Sequence, residues 1–165
     1  MMARARAAVS EIESIYRCRY RDFLRVAIAI VGDEAAAHDA VQDAFAQALK
    51  QRASFRGDGP LEAWLWRVVV NSARGARRQQ ASRREEPEQA EAIAATNGDS
   101  RDDFGVRSWV AALPERQRLA VYLRYYADLD YRAIATALEI EVGTVSATLS
   151  AAHRALRRSL EEVRR

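Results

Sequence analysis

Arg67, Asn71, Arg74 and Arg78 follow one another at offsets of four, three and four. On an α-helix that spacing lines one face. A row of guanidinium groups holds phosphate oxygens, and an amide in its middle presents one donor edge and one acceptor edge to a base. Phe55 and Trp66 lie close by in the chain, and an aromatic ring is the side chain on which an unpaired base stacks. These residue types point to nucleic-acid binding. Spacing alone also allows a solvated arginine face above two core aromatics.

A second pattern is two short helical stretches, Tyr131–Leu138 and Thr144–Leu156, with a tight turn at Glu139–Val142. Ile134, Ala135 and Leu138 form the inward side of the first, Val145 and Leu149 that of the second. This is the spacing of a helix-turn-helix, and equally of an ordinary antiparallel helix hairpin. Enzyme chemistry has little support. His38 and His153, the only histidines, lie far apart without a Ser or Cys partner, and no glycine-rich phosphate loop is present. No Cys/His cluster could hold a metal, and no cofactor is implied. Cys18 is expected to be a small buried filler and His38 to be exposed near a helix start.

Nearly every segment that must position these residues reads as helix. Ile12, Tyr16, Tyr20, Phe23, Ala27 and Ile30 predict a first helix over Val9–Val31, closed by Gly32. Asp33 caps a second helix that ends near Arg52 and buries Ala37, Val41, Phe45 and Leu49. Ser54–Pro60 is a loop, and Pro60 opens a third helix that lasts to about Gln80 and turns Leu61, Trp64, Leu65, Val68 and Ser72 inward. Helices are further predicted over Val106–Leu113, from Pro114 to about Ala127, over Tyr131–Leu138 and from about Gly143 to Val163.

Charge follows the same division. Residues 1–80 carry 13 basic and 9 acidic side chains, residues 81–105 carry 3 and 7, and residues 106–165 carry 10 and 7. Two basic ends flank an acidic strip, which predicts polyanion binding by the ends. The strip itself, rich in Arg, Glu, Gln, Asp and Ser, reads as a flexible linker with a short helix near Glu88–Ala95. The expected architecture is therefore all-α, with helical domains at 1–80 and 106–165 joined by a linker at 81–105. The longest apolar run, Val26 to Val31, is far shorter than the roughly 20 residues that cross a bilayer, so membrane insertion is not expected. A single cysteine and the lack of a leader pattern suit the cytoplasm.

Residues 14–80 resemble the second region of extracytoplasmic-function sigma factors of bacterial RNA polymerase. The strings that carry the likeness are Tyr20-Arg-Asp-Phe-Leu24, Gly32-Asp-Glu34, Asp39-Ala-Val-Gln-Asp-Ala-Phe45, Phe55-Arg-Gly-Asp58 and Trp64-Leu-Trp-Arg-Val-Val-Val-Asn71. Residues 106–160 resemble the fourth region through Leu113-Pro-Glu-Arg-Gln117, Leu123-Arg-Tyr125, Leu129-Asp-Tyr-Arg-Ala-Ile-Ala135 and Val142-Gly-Thr-Val145.

The resemblance implies a transcription initiation factor that binds core RNA polymerase and promoter DNA and is held by an anti-sigma factor. It implies that Asp39, Gln42 and Asp43 meet the polymerase clamp. Phe55, Trp66 and Asn71 would capture a base flipped from the minus-ten element, with Arg67, Arg74 and Arg78 on its backbone. It also implies that Thr144, Ser146, Thr148 and Arg154 face the minus-35 major groove.

This sequence departs from the family there. No Lys or Arg occurs between Arg132 and Arg154. Glu139 replaces the usual turn glycine, and Glu141 stands where proline is common. The departures predict weak minus-35 reading, with the helix-turn-helix serving mainly as a protein-interaction module as the alternative.

Overall fold

The structure, a computed structural model, describes residues 7–83 and 101–164, the side chains of 101–104 excepted. It contains seven α-helices and no strand among the described residues. α1 spans Val9–Val31, α2 Glu34–Gln51 and α3 Leu61–Arg83. α4 spans Arg101–Ala111, α5 Glu115–Tyr125, α6 Tyr131–Leu138 and α7 Val142–Val163. The fold is all-α, as expected. The expected linker helix at Glu88–Ala95 lies outside the described residues. α3 runs three residues past the expected end at Gln80, and α4 begins five residues before the expected Val106.

Local chemistry sets the boundaries. Gly32 stops α1 in the left-handed conformation, φ 86°, and its N–H returns to the Ile28 carbonyl at 2.8 Å. The next residue, Asp33, starts α2 by accepting the Ala36 N–H at 2.7 Å, so a two-residue corner folds the second helix back on the first. Asp130 opens α6 in the same way, accepting the Ala133 N–H at 2.7 Å.

The first three helices close around an aromatic nucleus. Phe23 of α1 meets Trp66 of α3 at 4.3 Å between ring centroids and Phe45 of α2 at 5.1 Å. Tyr16 adds an edge-on contact to Phe45 at 4.6 Å. Such pairs each stabilise by about 0.5–1.5 kcal/mol beyond their burial. The alanines Ala37, Ala40, Ala44 and Ala48 give α2 a small-residue face that lets α1 and α3 approach closely. Ser72 of α3 donates its hydroxyl to the Ala40 carbonyl of α2 at 2.8 Å, which fixes the rotation of α3. That rotation decides which side of α3 faces outward.

In the second block, Leu119, Leu123, Ile134, Val145, Leu149 and Ala152 from α5, α6 and α7 share one interior. The two blocks also pack on each other. α6 lies along α3, α5 approaches α1, and the buried apolar residues of both blocks form one continuous cluster.

Candidate functional site

α3 is a 23-residue helix with two different sides. Its inner side carries Leu65, Trp66, Val69, Val70 and Ala73, all at most 1% exposed. Its outer side carries Arg67, Asn71, Arg74 and Arg78. The side chains of Arg67 and Arg74 are each 38% exposed, and Asn71 and Arg78 are exposed. The 3.6-residue period thus brings the four expected phosphate and base contacts to one face, with the core holding them from behind.

Trp66 is not on that face. It is fully buried against Phe23, and its indole Nε1 donates to Glu62 at 3.4 Å. A ring with no exposed side cannot stack on a base, so the sequence expectation for Trp66 is corrected: it is a core residue. The aromatic beside Phe55 is Trp64, at 5.8 Å between centroids, and Phe55 itself is half-buried. Phe55 and Asn71 remain accessible.

On α2, Asp39, Gln42 and Asp43 are exposed, and Ala40, Val41, Ala44 and Phe45 behind them are buried. These three polar groups therefore form a free outer ridge. His38 is half-buried beneath Tyr20, whose hydroxyl lies 2.5 Å from Nδ1. Cys18, expected to be buried, is exposed on α1.

The helix-turn-helix expectation fits α6 and α7, but not all of its reading residues do. Ser146 and Arg154 are exposed and Thr144 is partly exposed. Thr148 is only 8% exposed and falls in the buried stripe Val145, Thr148, Leu149, Ala152. Steps of three and four place it on the side that α7 packs inward, so Thr148 is corrected to a core position. The turn residue Glu139 adopts φ 56° and ψ 45°, the left-handed region. A side chain there is disfavoured by about 1–2 kcal/mol relative to the right-handed form.

Sequence reasoning missed what lies opposite α3. Glu139 Oε1 stands 3.9 Å from Arg67 Nη1, and Glu139 Oε2 accepts from Asn71 Nδ2 at 3.5 Å. Glu115, at the start of α5, accepts from Arg74 Nε at 3.0 Å. Arg19 of α1 pairs with Asp22 at 3.0 Å and Glu62 at 2.9 Å, and it also donates to the Ala127 carbonyl across the junction. At the same junction burial lowers the Arg118 guanidinium from its ordinary pKa, Arg77 of α3 adding to the effect. Glu139 was visible as a departure in type, but nothing in the sequence paired it with residues 68 and 72 positions earlier.

Among the described residues no group of three or more His, Cys, Asp or Glu could hold a metal ion, and no helix is long and apolar enough to cross a membrane.

Residues 15–83 match the family described as Sigma-70 region 2, and residues 106–158 match Sigma-70, region 4. The chain is 32% identical over 135 residues to the ECF RNA polymerase sigma-E factor of Escherichia coli K12, covering 72% of this chain and 70% of that protein. It is 29% identical over 161 residues to the RNA polymerase sigma-H factor of Pseudomonas aeruginosa, covering 86% of this chain and 82% of that one. The sigma factor RpoE from Bartonella quintana, solved in complex with the anti-sigma factor NepR, shares the fold with a TM-score of 0.77 at 22% identity, over 93% of this chain and 98% of that one.

Proposed function

Because this chain belongs to the extracytoplasmic-function sigma factors, transcription initiation factors of the sigma-70 family rather than enzymes, we propose that it binds core RNA polymerase through α2 and opens promoters at the minus-ten element through α3. The observation that carries this reading is the exposed row Arg67, Asn71, Arg74 and Arg78, backed by a fully buried face, within the stretch that matches region 2.

The division of labour follows from chemistry. The guanidinium groups neutralise phosphates of either strand without regard to sequence. Asn71 offers a bidentate amide to one base, and Phe55 offers a partly open ring. Extruding a base costs a few kcal/mol, which stacking of about 1–3 kcal/mol and edge hydrogen bonds offset. Asp39, Gln42 and Asp43 are the polymerase contact in this reading. The two carboxylates and the amide of Gln42 stand exposed on a helix otherwise rich in alanine, suited to a basic partner surface.

An inhibitor fits the same picture. The relative from Bartonella quintana was solved with an anti-sigma factor, and we extend that kind of partner to this chain, together with a place in the cytoplasm beside the polymerase.

The test is co-purification with core RNA polymerase, followed by permanganate detection of unpaired thymines on promoters it activates. Asp39→Arg combined with Asp43→Arg should leave the helix content intact and weaken polymerase binding roughly tenfold or more, since reversed charges repel the partner they once attracted. Unchanged affinity of the double variant would remove α2 from the polymerase interface.

A second reading concerns only α6 and α7: that this pair serves chiefly as a tether or protein-interaction module, with weak minus-35 reading. It is favoured by the absence of Lys and Arg between Arg132 and Arg154, by Glu139 and Glu141 at the turn, and by the burial of Thr148.

A further inference from the structure

Three of the four polar residues on the outer face of α3 are held by carboxylates from the second block. Glu139 takes Arg67 and Asn71, and Glu115 takes Arg74. Only Arg78, at the far end of the row, stands clear of these two carboxylates. A carboxylate presents anionic oxygens to a guanidinium much as a phosphate does. The arrangement is therefore that of a polyanion site whose guanidinium groups are partly engaged by the protein's own carboxylates while still open to solvent.

We propose that Glu139 and Glu115 form an intramolecular latch, in which the helix-turn-helix block occupies the DNA-binding face of α3 and single-stranded DNA must displace it. The proposal rests on the reading of α3 as that face. Three further observations support it. α6 packs along α3, so the carboxylate of Glu139 arrives together with a helix of the second block seated on the same element. Glu139 holds its carboxylate there from a left-handed backbone position that glycine would fill without strain, and such strain collects at functional positions. Arg19 anchors the junction from the other side, reaching from Glu62 on α3's first turn to the Ala127 carbonyl after α5.

The ion pairs of the latch suit a switch, and the apolar packing of α6 on α3 sets the rest of its strength. The side chains of the Arg67–Glu139 pair are 38% and 58% exposed and those of the Arg74–Glu115 pair 38% and 45%. Ion pairs this open are weak and screened by salt. A latch of this kind lowers the apparent DNA affinity by the fraction of molecules that are open, and no more. A DNA strand, with one charge per nucleotide, outcompetes two carboxylates once it reaches Arg78 and advances along the row.

The full chain serves for the test. One dye is placed on the exposed Cys18 and its partner on Ser150→Cys, an exposed site on α7. The probe is a short single-stranded DNA of random sequence. Glu115→Gln combined with Glu139→Gln should raise DNA affinity roughly fivefold, as expected for two exposed pairs, and lower energy transfer between the dyes before DNA is added. Glu139→Gly, which removes the carboxylate and relaxes the backbone, should act in the same direction. In the parent chain, adding DNA should itself lower energy transfer.

The latch and the reading beneath it fail separately. If Arg78→Ala weakens DNA binding while the paired Gln variant leaves affinity and energy transfer unchanged, α3 binds DNA and the latch is wrong. If Arg78→Ala leaves DNA binding untouched, the DNA reading of α3 falls and the latch falls with it.

Discussion

α3 and α7 are nearly equal in length, 23 and 22 residues, and each buries one stripe while turning the other outward. α3 carries Arg67, Arg74 and Arg78 along its outer face. α7 carries no basic residue until Arg154, past its midpoint. Yet α7 is packed as firmly as α3, with Val145, Leu149 and Ala152 at most 2% exposed. Packing and readout are thus written in separate residues. A helix-turn-helix keeps its geometry through the buried stripe alone, and its outer surface is free to change charge. In this chain the turn carries acid at Glu139 and Glu141, and Glu139 faces the basic helix of the other block.

Trp66 belongs to the packing set of α3, and its removal should be the most damaging single change. Trp66→Ala removes a fully buried indole in contact with Phe23 and should destabilise the chain by about 3–5 kcal/mol in urea denaturation followed by circular dichroism. A loss below about 1 kcal/mol is what a surface tryptophan gives. That result would return Trp66 to the readout set and restore it as a stacking partner for a base.

Much of this was legible from periodicity. The stripe on α1, the capping by Asp33 and Asp130 and the common face of Arg67, Asn71, Arg74 and Arg78 all follow from local rules of spacing. Trp66 was not, because Ala63, Trp64, Leu65 and Trp66 are four successive apolar residues that span nearly a full turn. Spacing cannot say which of them face inward when a helix is packed by α1, α2 and α6 together. Thr148 failed for a different reason. Its position fits the buried stripe, but a hydroxyl residue on a recognition helix suggests a base contact. Cys18 went against the usual burial of a free thiol and is exposed on α1, whereas His38, its side chain 39% exposed near the start of α2, leans on Tyr20. The contacts of Glu139 and Glu115 join residues more than 40 positions apart, and no local pattern encodes them.

A middling effect separates the two roles within the face of α3. Asn71→Ala should relax base preference at one position of the minus-ten strand by about 1–3 kcal/mol of discrimination. Binding to other sequences should change little. Arg78→Ala should instead weaken all sequences alike and reduce the salt slope by about one contact. Competition titrations of the full chain, bound to core polymerase, against a panel of single-base variants resolve the two patterns. Uniform weakening by Asn71→Ala would make that side chain a backbone contact, and the face of α3 would then hold DNA without reading it.

The smallest effect sharpens the contrast from the side of α7. Ser146 is exposed on the first half of that helix, where a groove-reading helix would meet the DNA backbone or base edges. Its hydroxyl discriminates poorly between bases and neutralises no phosphate. Arg154, Arg157 and Arg158 lie two or more turns further along. If α7 enters a major groove at all, Ser146→Arg adds one phosphate contact, and log affinity for duplex DNA should fall with log salt more steeply by about 0.9. At low salt the variant should bind duplex more tightly, and the advantage should fade as salt rises. The stability of the fold should stay within about 0.5 kcal/mol of the parent, because the substituted side chain lies outside the buried stripe. The measurement is a fluorescence titration of the full chain against minus-35 duplexes at several salt concentrations, parent and variant side by side. A steeper slope places α7 against the duplex and leaves its weak reading as a matter of missing charge. An identical slope shows that this face does not meet DNA, and the outer surface of the helix-turn-helix then belongs to a protein partner.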